Sequence, residues 1–212
     1  MVRKLSLRID LDMEVYINMD IKKRKDGNNL EKILIFGEDG TFKSSFAEKY
    51  CIKKGLKPIV FDFDKTNWSN LDIIDEFDLS NDRRANKSIN EAINMVSKLD
   101  YDTWIFDGIT TVIESFIGQG GGMSAYSSRS KLFYKLIHTL QNSGKNIIFI
   151  GQIDADLDWY KEDESPSKVI IRLNAICNTK FKCEKNNKGF VVTCVKDRSG
   201  ELNGKSFTYE MG

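Results

Sequence analysis

Lys32-Ile33-Leu34-Ile35-Phe36-Gly37-Glu38-Asp39-Gly40-Thr41-Phe42-Lys43-Ser44 is the stretch on which the architecture of this chain turns. Its first half, Lys32–Phe36, is a short apolar run closed by a glycine, the form taken by a strand buried on both faces. Its second half is a polar turn that leads directly into Ser44–Lys54, a helical stretch stopped by Gly55. The same alternation continues downstream. Lys57–Phe63 reads as a strand and Ala85–Leu99 as a helix with Ile89, Ala92, Ile93, Val96 and Leu99 on one face. Thr103–Asp107 reads as a strand, Lys131–Gln141 as a helix closed by Gly144, and Asn146–Gly151 as a strand. From Val169 onward the pattern changes to short strands, including one near Phe190–Val195 and another at Ser206–Tyr209. Strands alternating with helices predict an α/β fold with a mostly parallel central sheet, flanking helices, and antiparallel edge strands near the C-terminus.

Ahead of this core, the odd positions from Leu5 to Ile21 are all apolar, with mainly polar residues between them. That period of two predicts a strand-forming extension over 1–30, with 31–212 as the core of one domain and no linker between them. The 212 residues are 41% apolar and 30% charged, enough apolar material for a core. With 32 Lys+Arg against 31 Asp+Glu the net charge is +1, so bulk charge gives no argument for a nucleic-acid or membrane partner. No apolar run approaches the ~20 residues of a membrane span and MVRKLSLRID lacks the apolar block of a signal peptide, which predicts a cytoplasmic protein (host cytoplasm for a viral source). Cys51, Cys177, Cys183 and Cys194 form no C-x-x-C pair and His138 is the single histidine; reduced, mostly buried thiols are expected rather than a zinc site.

Set against G-x-x-x-x-G-K-[ST], Gly37–Ser44 matches every fixed position except one, where Phe42 replaces the second glycine. The motif wraps backbone N–H groups around phosphate oxygens at a helix N-terminus, brings a Lys ammonium to the outer phosphates and offers a hydroxyl to Mg²⁺. Gly37, Glu38, Asp39, Gly40, Thr41, Phe42, Lys43, Ser44 and Ser45 are therefore the expected phosphate-binding residues, with Lys43 and Ser44 supplying the ammonium and the hydroxyl. A side chain at Phe42 lies near the helix start, where it can point away from the cradle.

Tyr101–Asp107 is an apolar strand ending in a carboxylate, the form of a Walker B element, so Asp107 joins Ser44 as an expected part of the metal shell. Asp64 ends the Lys57–Phe63 strand, where an acid can polarise an attacking water or simply be solvated; Asp62 can face the metal or solvent. Gln152 follows the Asn146–Gly151 strand, placed to sense a terminal phosphate or to end the strand as an ordinary polar residue.

In this order the motifs resemble the RecA-like P-loop ATPases. The nearest likeness is to short phage and archaeal nucleotide-binding ATPases of the recombination group, related to single-strand annealing and RadA/KaiC-type proteins. The resemblance spans roughly Lys32 to Tyr209 and implies ATP as ligand, Mg²⁺ as cofactor, and hydrolysis coupled to assembly and to DNA recombination, annealing or replication. It also implies roles: the acid after the second strand acts on water, though it is usually Glu where this chain has Asp64. An aromatic before the P-loop Lys occurs in a related helicase-like group.

Lys196 and Arg198 resemble the cationic finger that RecA-like rings and filaments insert into a neighbour's site; a hairpin-end charge cluster is the alternative. The alternating N-terminal segment could add a strand to a neighbour's sheet or fold back on its own. A homo-oligomer, ring or filament, is thus expected. Single-stranded DNA is a further expected partner, through the Gly/Ser-rich Gly118–Arg129 with Tyr126 and Arg129. The segment 154–166 carries Trp159 and Tyr160 but six carboxylates, which repel a phosphate backbone and favour a protein partner. Two rivals stay open. A small-molecule kinase would use the same loop, with Arg83-Arg84 as its only cationic cluster; a non-hydrolysing nucleotide-gated scaffold would suit Phe42, Asp64 and the acidic segment.

Overall fold

The computed structural model describes residues 30–117, 123–152 and 173–210. The expected N-terminal strand over 5–21, the Gly118–Gly122 run and the acidic 154–166 segment lie outside these residues. Among the described residues the main elements follow one another as β1 (Lys32–Gly37), α1 (Lys43–Lys54), β2 (Pro58–Asp62), β3 (Asp72–Ile74), α2 (Asp82–Val96), β4 (Thr103–Asp107), α3 (Ile109–Ile117), α4 (Met123–Gln141), β5 (Asn146–Gln152), β6 (Thr179–Asn186), β7 (Gly189–Asp197) and β8 (Ser206–Tyr209). The strands form one eight-stranded sheet in the order β3-β2-β4-β5-β1-β6-β7-β8. All pairings from β3 to β6 are parallel, and β6–β7 and β7–β8 are antiparallel. This is the α/β architecture, mostly parallel with antiparallel C-terminal edge strands, that the pattern of apolar runs predicts.

Alternation along the central strands sorts their side chains onto two faces. Leu34 and Phe36 of β1, Ile59 and Phe61 of β2, Trp104 and Phe106 of β4, and Ile147 and Phe149 of β5 pack on one face against α2, α3 and α4. Phe61 and Phe106 stack there with centroids 4.6 Å apart and planes 5° apart. Ile33, Ile35, Val60, Ile105, Ile148 and Ile150 point the other way, with Phe46, Ala47 and Cys51 of α1 and with Phe181, Cys183, Val192 and Cys194 of β6 and β7. Covering both faces is what makes the parallel strands uniformly apolar. All four cysteines are buried free thiols, as their spacing predicts. Burial pushes Cys51, Cys177 and Cys183 up to about 12.

Three departures from the sequence expectation have physical causes. The helix α3 was not anticipated; its Ile-Thr-Thr-Val-Ile-Glu-Ser-Phe-Ile run is rich in β-branched residues, which favour strand, and is helical here with Ile109, Val112, Ile113 and Phe116 fully buried. The helix α2 begins at Asp82 rather than Ala85, since the Asn81 side chain accepts the Arg84 N–H at 3.0 Å and caps it. The helix α4 begins at Met123, so residues 123–129 are helical rather than loop, and Arg129 is 7% exposed. Arg129 is therefore a core-facing residue of α4, which corrects its expected part in a DNA-facing loop. No helix among the described residues is long and apolar enough to cross a membrane.

Candidate functional site

At the carboxyl ends of β1, β4 and β5 the chain must turn back, and side chains from several turns converge there. Register fixes who meets whom. Gly37 of β1 lies beside Gln152 of β5 on one side and Cys183 of β6 on the other, while Asp107 of β4 lies opposite Asp62 of β2 and Ile150 of β5. Because β5 separates β1 from β4, the Gln152 tip stands between the Gly37 turn and the Asp107 carboxylate. A cavity of about 400 Å³ opens at this edge, lined by Asp39–Ser45, Asp64, Thr66, Asp107 and Gln152.

The turn itself is built tightly. A Cβ at Gly37 would lie 2.2 Å from the Cys183 carbonyl oxygen and 2.7 Å from Thr41 Oγ1, so only glycine fits. The buried Thr41 hydroxyl donates to the Glu38 carbonyl at 2.6 Å, and the Asp39 carboxylate accepts the Gly40 N–H at 2.9 Å. Lys43 Nζ folds across the loop to donate to the same Glu38 carbonyl at 2.7 Å, and its burial lowers its pKa. Phe42 takes the left-handed conformation, φ 74° and ψ 15°, as the residue before the first helical turn of α1. Its ring stacks on Phe190 and lies tilted against Tyr209. Glu38 and Asp39 are exposed on the rim.

Opposite the loop, Asp107 is 3% exposed, and its burial pushes the carboxyl up to about 6. Its Oδ2 accepts two donors, the Ser44 hydroxyl at 2.9 Å and the Trp68 indole N–H at 3.0 Å. The two expected metal-shell residues are thus already in contact. Asp62 is buried, accepts the Thr66 N–H at 3.0 Å, and is held above the usual carboxylate range by desolvation. It shapes the turn that carries Asp64 and Trp68, and it is buried rather than solvated. Asp64 accepts a short hydrogen bond from the Thr111 hydroxyl, and the Gln152 N–H donates to the Thr110 hydroxyl at 3.0 Å. Adjacent threonines at the start of α3 therefore hold both the expected water-activating acid and the expected phosphate sensor. Gly108, at φ 91°, makes room for this: a Cβ there would sit 2.3 Å from Asp64 Oδ1.

Trp68, Thr110, Thr111 and Gly108 were not singled out in the sequence, and no local spacing marks Trp68 or Thr111 as partners of carboxylates 39 and 47 residues away. Gly108 alone carried a signal, a glycine directly after the strand-ending acid.

Lys196 and Arg198 lie elsewhere. Asp197 pairs with Thr179, which pairs with Ile33, so this end of β7 sits at the amino edge of β1, roughly 13 Å along the strand from Gly37 at ~3.3 Å per residue. Lys196 Nζ donates to the carbonyls of Asn174 and Cys177 at 3.2 and 2.9 Å, and Arg198 Nη2 to that of Ala175 at 2.7 Å. The two cations share one side, as alternate residues should, but within one chain they close the end of the helical turn 173–176 and do not join the cavity.

A family model described as an AAA domain matches residues 29–182. The chain belongs to this AAA domain family. As an AAA domain it is a P-loop ATPase by superfamily. The match takes in the loop, Asp64, Asp107 and Gln152, and ends before β7 and β8. No curated protein matches the chain at a significant level.

The residues present fit a nucleotide triphosphate carried with Mg²⁺. One ammonium, Lys43, faces the carboxylates of Asp39, Asp64 and Asp107 around the cavity, an arrangement that repels a bare polyanion and favours one arriving with a divalent cation. The hydroxyl and carboxylate oxygens of Ser44 and Asp107 are the hard donors Mg²⁺ takes, and it completes its shell with phosphate oxygens and water. Among the described residues no cluster of three His, Cys, Asp or Glu side chains could hold a metal without such a ligand.

Proposed function

We propose that this protein binds ATP with Mg²⁺ and hydrolyses it, with turnover completed by assembly into an oligomer. The observation that carries the reading is the contact of Ser44 with Asp107 beside Lys43 and Asp64 in one cavity. Bound Mg²⁺ would neutralise charge on the outer phosphates and hold them for in-line attack. Lys43 would leave the Glu38 carbonyl for the β- and γ-phosphate oxygens. Ser44 would give its hydroxyl to the metal, and Asp107, ionised, would accept from the metal's waters. Asp64, oriented by Thr111, would take a proton from the attacking water, and Gln152 would donate to the γ-phosphate from its strand tip. The backbone N–H groups of Gly40–Ser45 would cradle the phosphates at the start of α1.

Lys196 and Arg198 would act on the phosphate of a neighbouring copy. Their distance from their own loop, and the carbonyls that hold them stiffly at the opposite edge, support a role across an interface rather than within the chain. A DNA transaction in recombination, annealing or replication is the process that the resemblance to RecA-like proteins supports, with single-stranded DNA as the partner.

The test is ATP binding and phosphate release by the purified chain and by Lys43→Ala, each with Mg²⁺, over a range of protein concentrations, with and without single-stranded DNA. Loss of both properties in Lys43→Ala, and specific activity that rises with concentration and DNA, are expected. Wild-type protein that binds no ATP, or Lys43→Ala that binds and turns over as wild type does, overturns the assignment; phosphorylation of a small-molecule hydroxyl in place of phosphate release overturns the hydrolytic part.

A further inference from the structure

Phe42 occupies the position where the phosphate-loop motif has its second glycine, and its φ of 74° lies in the left-handed region that favours glycine. A residue with a Cβ disfavours this left-handed region, and a bulky aromatic has no side-chain hydrogen bond with which to compensate. Phe42 caps α1 without any side-chain bond of its own. What accompanies the strained conformation is an aromatic contact. The Phe42 ring lies over Phe190 of β7 with centroids 5.0 Å apart and planes 10° apart, and against Tyr209 of β8 at 5.0 Å. Lys49, about two turns further along α1, places its ammonium 5.8 Å from the Phe42 ring and 5.9 Å from that of Tyr209.

The hairpin that supplies these rings is shaped for the contact. Phe190 and Tyr209 are cross-strand partners, and the preceding Gly189, φ 147°, lets the strands close at that point: a Cβ there would lie 2.2 Å from the Tyr209 carbonyl oxygen. Both strands lie beyond residue 182, where the AAA domain match ends. The departure from the motif and the rings that receive it therefore come from different parts of the chain, one inside the family match and one outside it.

We propose that Phe190 and Tyr209 are positioning residues for nucleotide binding, holding the phosphate loop in its cradle shape by stacking on Phe42 and so replacing the conformational freedom of the missing glycine. The inference rests on the nucleotide-binding reading above. Neither ring needs to touch the nucleotide. The stack fixes the backbone at Phe42, and that backbone aims the N–H groups that follow it at the phosphates.

The test is a double-mutant cycle on the full chain, reading the dissociation constant for ATP–Mg by calorimetry, with a melting temperature for each variant. Phe190→Ala weakens binding roughly three- to tenfold, the worth of one stacked aromatic pair. Tyr209→Ala, on the exposed edge strand, weakens it in the same direction and serves if Phe190→Ala does not fold. Added to a Phe42→Gly background, Phe190→Ala changes affinity by less than about twofold, the limit for uncoupled sites. Equal losses in the two backgrounds overturn the inference, since the rings would then act on the ligand or on the fold at large. Folded Phe190→Ala and Tyr209→Ala that bind as wild type also overturn it. Wild-type protein that binds no ATP instead overturns the functional reading, and is told apart because it needs no variant to be seen.

Discussion

Ser44 and Trp68 donate to one oxygen of Asp107, at 2.9 and 3.0 Å. The two donors hold a buried carboxylate from different elements, one from the start of α1 and one from the turn after β2. If the site takes Mg²⁺ as proposed, the Ser44 oxygen would turn to the metal, whereas the indole, a donor only, would stay on Asp107.

The indole therefore reports the site. In a Trp159→Phe background, binding of ATP–Mg should change the intrinsic fluorescence of the protein and Trp68→Phe should remove most of that change, because the remaining Trp104 is buried in the sheet core on the other face. The same variant should weaken Mg²⁺-dependent binding by about three- to tenfold, the worth of one hydrogen bond to a charged group. A Trp68→Phe protein whose fluorescence responds as wild type does would show that the indole does not follow the metal site.

The raised pKa of Asp107 makes a claim about stability as well. Its folded value of about 6 lies above the ordinary carboxyl value of 3.8, so between those limits the folded chain holds a proton that the unfolded chain has lost. Stability from this group is present below pH ~4 and falls as pH rises towards and through 6. Asp107→Asn keeps an oxygen for Ser44 and Trp68 without the charge. It should gain stability at pH 7–8 by an order of 1–3 kcal/mol, lose that gain below pH ~4, and abolish Mg²⁺-dependent turnover. Thermal melts at both pH values, beside phosphate release, check the sign. By the same protonation, nucleotide binding that requires Mg²⁺ should strengthen as pH is raised through about 6.

Gly108 and Thr111 hold Asp64 in place. Thr111→Val removes the hydroxyl that donates to the Asp64 carboxylate. It should lower kcat by about ten- to a hundredfold, the range for a misoriented general base, with little change in ATP affinity. Gly108→Ala should do the same and also destabilise, since it places a Cβ 2.3 Å from Asp64 Oδ1 at a φ of 91°. An unchanged kcat in both would remove Asp64 from the reaction.

Asp39 stands on the rim and takes the Gly40 N–H, a donor that the cradle would offer to phosphate. Asp39→Asn removes a negative charge beside the triphosphate. It should tighten ATP binding by about two- to fivefold at low salt, and the gain should shrink as salt screens it. Titrations at two ionic strengths test this.

The central strands were legible because each of β1, β2, β4 and β5 is buried on both faces and so reads as a short apolar run with a polar residue at its tip. Those tips are where Asp107 and Gln152 stand, with Asp64 two residues past the end of β2, so the site's main acids were legible too. What could not be read was the company they keep. The Ile109–Ile117 helix is only nine residues long and rich in β-branched Ile, Thr and Val, a composition that favours strand. The three residues of β3 are too few to show a period. Arg129 looked available for phosphate because its neighbours Ser127, Ser128 and Ser130 are small and polar; only the packing of α4 turns it inward. Phe42 was visible as an anomaly, but the rings that receive it are some 150 residues downstream and had no reason to be sought.

Adjacent hydroxyls on the first turn of α3 grip the tips of two different strands, Thr110 the backbone of Gln152 and Thr111 the carboxylate of Asp64. A tilt of that turn would carry both together. On the proposed reading, recognition of an intact triphosphate and readiness to cleave it would then be geared to one short turn, and selection could not easily tune one without disturbing the other.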